Sequence, residues 1–253
     1  MNYFFAFKNN ILKSELQIPL FKNRSTRPSK LKLFRCYPKN NKWVLEDLSE
    51  KKINDYFYIL NNDNISNSDV YFLGQDGLDI NFKGEKLIDF NSFTNTQPEF
   101  RANLKIYIDE GGFSSYQSEY PYSMVVKKGT ILSSVSSLAN SEAEKNFIII
   151  KNIFEKPIEQ NFNAYLVNIR TKKIEEIFEL KTNNANFIEI NSKLIKPEIF
   201  LTTKEYLGIP MFVSIKNKFL SFEHTHPPHE YILSNDKYIK IKDLKKEINE
   251  ISN

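Results

Sequence analysis

The chain has 253 residues, the size of one large domain or two small ones. Lys+Arg 35 against Asp+Glu 31 gives a formal charge of +4, too near neutral for a dedicated nucleic-acid surface. One cysteine excludes an intramolecular disulfide, seven glycines leave little room for Gly-rich phosphate loops, and neither the dinucleotide-binding glycine pattern nor the P-loop pattern occurs, so no nucleotide is expected.

In chain order, the N-terminus opens on an apolar run of five residues, 3–7, which Lys8 ends. A secretory signal needs roughly 7–15 apolar residues and a membrane helix about 20, so a soluble, cytoplasmic protein is the expectation. Short apolar runs then predict strands at 3–7, 31–36, 43–45, 56–60, 70–73, 86–90, 103–108, 122–126 and 131–135. A second group follows at 147–153, 164–169, 174–180, 186–190, 199–203, 211–215, 219–222 and 230–233. Phe (21) and Tyr (13) are abundant, as suits half-buried pleated surfaces. The excess of Lys, Asn and Ile is that of an AT-rich bacterial genome.

Two strands carry local detail. In 103–108, Leu104, Ile106 and Ile108 face one side while Lys105 and Tyr107 face the other, and Asp109-Glu110-Gly111-Gly112 is a turn signal. In 174–180 the alternation slips between Glu175 and Glu176, which a bulge would absorb. The run 147–153 is apolar on both faces, as a central strand would be. Cys36 lies in an alternating apolar strand and reads as a small core residue.

The polar, small-residue stretch 139–145 separates two strand-dense halves. The expected fold is mainly β, with antiparallel β-sandwich architecture in two lobes, 1–138 and 146–253. The second lobe resembles an immunoglobulin-like sandwich in outline, and that likeness alone implies no function. A short C-terminal helix is predicted over 240–251, because Ile241, Leu244, Ile248 and Ile251 share one helical face.

Three stretches offer chemistry. Between 114 and 122, Tyr116, Tyr120 and Tyr122 stand among hydroxyls with Gln117 and Glu119, and Arg101 precedes them. Aromatic faces beside amides and charges are what saccharide recognition needs. All three histidines fall in one short segment, His224, His226 and His229, broken by Pro227-Pro228. His224 and His226 share a strand face, so the cluster suits a divalent metal such as Zn, with Glu223 or Glu230 as further ligand or base. The basic stretch 22–32, with Lys22, Arg24, Arg27, Lys30 and Lys32, suits an acidic partner.

These stretches support three functions. The first is a non-catalytic binding or structural module that takes a saccharide or another small polar ligand on the tyrosine-rich hairpin. The second is a metal-dependent enzyme centred on the histidines. The third is a partner scaffold using the basic loop or the terminal helix, and homo-oligomerisation is compatible with each.

Overall fold

The apolar runs pair into strands wherever the chain can alternate buried and exposed positions. The computed structural model describes residues 2–22, 25–28, 31–75, 84–87, 90, 101–109, 111–224 and 235–253, with the backbone alone at 21, 22, 25–28 and 235–241. Half of the chain is strand and 12% is helix. The first strands are β1 (Asn2–Tyr3), β2 (Lys13–Pro19), β3 (Phe21–Lys22), β4 (Ser25–Pro28), β5 (Lys32–Lys39) and β6 (Lys42–Asp47). They are followed by β7 (Lys52–Asn54), β8 (Phe57–Leu60), β9 (Val70–Gly74), β10 (Ala102–Tyr107), β11 (Phe113–Ser118) and β12 (Tyr120–Pro121). A one-turn helix α1 (Tyr122–Val125) leads to β13 (Leu132–Ser134), β14 (Lys145–Lys151), β15 (Asn161–Asn168) and β16 (Lys173–Lys181). The chain ends with β17 (Ala185–Glu189), β18 (Ile199–Thr203), β19 (Ile209–Lys216), β20 (Phe219–His224) and α2 (Asn235–Ile251).

All paired strands are antiparallel. One sheet has five strands, β11-β10-β2-β8-β7, and another three, β6-β5-β9. Two have four strands, β13-β18-β15-β16 and β17-β14-β19-β20. The sheets are arranged like a propeller, so the two-lobe sandwich with an immunoglobulin-like half is not borne out. The reason lies in β14, an inner strand buried on both faces. Phe147 and Ile149 join Met211 and Val213 in the main core, beside Phe7 and Tyr116. Ile148 and Ile150 join Leu166, Leu201 and Phe212 in a second core. A sheet apolar on both sides needs a neighbour on both sides, which extends the stack beyond one pair.

Packing crosses the stretch 139–145. β13, from before the stretch, pairs with β18 after it. Farther along the stack, α2 lays Ile248, with Leu244 and Ile251, against Leu132, Tyr165 and Val167. The predicted helix is thus present and begins earlier, at Asn235. No helix among the described residues is long and apolar enough to cross a membrane.

The segment 3–7 is buried throughout, yet only its start is paired in a ladder. Its backbone finds other partners, as buried amides must. Phe4 exchanges both backbone hydrogen bonds with Tyr71, at 2.8 and 2.9 Å. The Phe5 N–H donates to Ser118 Oγ at 2.8 Å, and the same hydroxyl donates to the Phe5 carbonyl at 2.6 Å. Ser14 Oγ donates to the Phe7 carbonyl at 2.5 Å.

Several expectations shift. The strand at 122–126 is instead α1, because Pro121 has no N–H to continue a ladder and Met124 and Val125 turn inward together. β2 lies where no strand is predicted. Of 86–90, Leu87 and Phe90 are buried, whereas 88 and 89 lie outside the described residues, as do 230–233. The slip at Glu175 is a bulge: Leu166 faces Glu176 and Val167 faces Ile174, with Glu175 extra.

Candidate functional site

The β10–β11 hairpin has two faces of opposite character. Ala102, Leu104 and Ile106 of β10 are buried, and so are Tyr116 and Ser118 of β11. The other face carries Asn103, Lys105 and Tyr107 opposite Gln117, Ser115 and Phe113. β2 continues it with Gln17, Glu15 and Lys13 opposite the same three β10 residues. Three cross-strand rows result, about 7 Å apart along the strands. One row is aromatic, with Phe113 beside Tyr107. One is central, with Ser115, Lys105 and Glu15. One is a row of amides, with Gln117, Asn103 and Gln17.

Phe113 is 66% exposed. The Lys105 ammonium lies over both aromatic rings, 5.0 Å from the Phe113 centroid and 5.5 Å from that of Tyr107. The Gly112 N–H donates to the Lys218 carbonyl at 2.9 Å, which brings β20 alongside and adds Phe219, 75% exposed, to the aromatic end. Beyond the amide row, Arg101 Nη1 donates to Gln117 Oε1 at 3.1 Å. Gln117 Nε2 donates to Glu119, which also accepts from Asn2 Nδ2. Burial holds the Glu119 carboxyl above its ordinary range, with Arg101 pulling against it.

Arg101, Gln117 and Glu119 thus form one hydrogen-bonded chain, brought together by the antiparallel pairing of β10 and β11. The three tyrosines go elsewhere. Tyr116 points inward, with ring centroids 5.2 Å from Phe222 and 4.4 Å from His224. Tyr120 is wholly buried, edge-on to Phe5 at 6.5 Å, and its hydroxyl donates to the Leu207 carbonyl at 3.5 Å. Tyr122 opens α1, half-buried against the main core. Burial pushes the phenols of Tyr116 and Tyr120 well up. Interior rings offer no open face for stacking, so the aromatics on the outer face of this hairpin are Phe113, which is exposed, and Tyr107, which is half-buried. The alternation in 103–108 already turns Tyr107 and Lys105 outward; Phe113 follows once the turn fixes the register.

His224 closes β20 opposite Met211, its ring against Tyr116. His226, His229 and Glu230 lie outside the described residues, and Glu223 is exposed opposite Phe212. Among the described residues no group of three or more His, Cys, Asp or Glu is placed to hold a metal ion. Of the basic stretch, Lys32 pairs with Asp47 at 3.4 Å, while the side chains of Lys22, Arg24, Arg27 and Lys30 lie outside the described residues.

A second polar cluster is sealed inside. The Lys151 ammonium, at the end of β14, donates to the carbonyls of Asn67 at 2.7 Å and Asp69 at 3.0 Å. The Asp69 carboxylate accepts from the Tyr71 hydroxyl at 2.9 Å and from the Ser66 N–H at 2.9 Å, with Arg35 at 3.7 Å. Arg35 in turn pairs with Glu46. Burial pushes the Lys151 ammonium down to about 7, against the pull of Asp69, and pushes the Asp69 carboxyl up. Cys36 is buried next to this group and its thiol is pushed up by the same cause. These groups join strands to one another; Lys151, Asp69 and Tyr71 are buried, while Arg35 and Glu46 at the outer end are partly exposed.

Comparison with protein-family models, with curated proteins and with solved structures gives no match.

Proposed function

We propose that the chain is a non-catalytic binding module that takes a saccharide on the outer face of its five-stranded sheet. The observation that supports this most is the pairing of Tyr107 and Phe113 directly opposite each other on the exposed side of β10 and β11. Sugar rings present flat C–H surfaces that pack on aromatic faces, and their hydroxyls need both donors and acceptors. The amide row of Gln117, Asn103 and Gln17 supplies both, two cross-strand rows and about 14 Å from the rings, so the ligand is an oligosaccharide long enough to reach both. The sheet holds these side chains on a rigid, flat support, so little ordering is needed on binding.

The test is calorimetric titration of the full chain with a panel of neutral and charged oligosaccharides, repeated with Phe113→Ala and Tyr107→Ala. Each substitution is expected to weaken binding by about tenfold, the scale of one aromatic contact. The melting temperature of Phe113→Ala stays near that of the native chain, because the ring is mostly exposed. A panel in which nothing binds overturns the proposal.

A further inference from the structure

Resting on that reading, we infer that the face selects saccharides bearing an anionic group, a carboxylate or a sulfate, and that Lys105 is the residue that recognises it. The charges on the face are not equivalent. Lys13 is neutralised by Asp109 at 2.5 Å. Arg101 is engaged with Gln117 and lies in the field of Glu119. Lys105 has a carboxylate directly opposite in the register, that of Glu15, yet makes no ion pair with it or with any other described residue. Its ammonium lies instead over the rings of Phe113 and Tyr107. A cation held on ring quadrupoles keeps its donors available, because a ring face accepts no conventional hydrogen bond.

The position strengthens the case. Lys105 occupies the central row, between the aromatic pair and the amides. A sugar stacked on Tyr107 or Phe113 therefore carries its ring substituents past the ammonium. A carboxylate or sulfate there accepts from the ammonium with opposite charge on the two partners, whereas a neutral hydroxyl accepts from it without that attraction. The same ammonium also limits affinity for a neutral sugar, since it remains solvated and uncompensated. Charge discriminates here by a difference between two ligands, not by adding contact area.

The experiment compares three oligosaccharides of one backbone and length: neutral, uronate-bearing and sulfated. With the full chain, the anionic members are expected to bind about tenfold tighter than the neutral one. The advantage shrinks as salt is raised. Lys105→Met keeps the apolar stem and brings the anionic ligands to the level of the neutral one, without weakening the latter. The tighter of the two anionic ligands identifies the group recognised. Equal binding of neutral and anionic ligands, or a preference that survives Lys105→Met, overturns the inference while leaving the saccharide reading intact. If none of the three binds, both fall. Should Lys105→Met lower the melting temperature, Lys105→Gln and the salt series on the native chain decide the same question.

Discussion

Lys151 illustrates how one side chain sets a property of the whole. Its ammonium is buried among the carbonyls of Asn67 and Asp69, with the Asp69 carboxylate, Arg35 and Tyr71 beyond. An unfolded lysine titrates near 10.5, whereas this one is pushed down to about 7. Below about 7 the group is charged in both states and its burial penalty is fully felt. Between about 7 and 10.5 the unfolded chain binds more protons, so this residue makes stability rise with pH. Melting temperatures measured from pH 7 to 10 should therefore show a positive contribution that Lys151→Met removes. Ser118 is a second case. One hydroxyl satisfies both the N–H and the carbonyl of Phe5. Ser118→Ala leaves two buried polar groups without a partner and is expected to cost about 2–4 kcal/mol in denaturant unfolding. Ser115, exposed on the same strand, is the control, and Ser115→Ala should lie within about 0.5 kcal/mol of the native chain.

At the scale of elements, what decides a strand is whether its side chains alternate, and what hides one is an exception to that rule. The strands β5, β10, β14 and β16 are legible because each has a clear apolar face or a continuous apolar core, and the bulge at Glu175 is visible as a slip in the pattern. β2 is missed because its buried positions begin with Ser14, whose hydroxyl is spent on the Phe7 carbonyl instead of marking a polar face. The tyrosine platform is misplaced for a related reason. Tyrosine is amphipathic, so a cluster of tyrosines shows neither which face is buried nor which is wet. That depends on register, and Leu104 opposite Tyr116 fixes both on the inner side. The helix α2 is legible from Leu244, Ile248 and Ile251, which dock on the sheet containing β15. Ile248→Asp should release it. Hydrogen exchange over 242–251 is expected to rise sharply, while exchange in β14 and β19 remains slow.

Across the whole molecule, the main core takes residues from both sides of 139–145. Phe5, Phe7 and Tyr116 pack with Phe147, Met211 and Phe222. A fragment of 146–253 alone would expose the inner row of β14 and β19 and lose β13 from the sheet of β18. It is expected to be poorly soluble and to lack a cooperative melt, whereas the intact chain melts in one transition; differential scanning calorimetry of both checks this. The nine-residue strand β16 bears on how such molecules behave together. Among the described residues it is the outer strand of its sheet, and the edge of a sheet is a template for a passing strand. Lys173, Glu175, Glu176, Glu179 and Lys181 line that margin, and the extra residue at Glu175 bends it. A second copy approaching in the antiparallel sense would have to match the bend and face the same carboxylates. Ile177, exposed in the middle of the strand, is thereby fenced by charge on both sides, and a crowded solution of this protein is guarded against fibre growth along that edge.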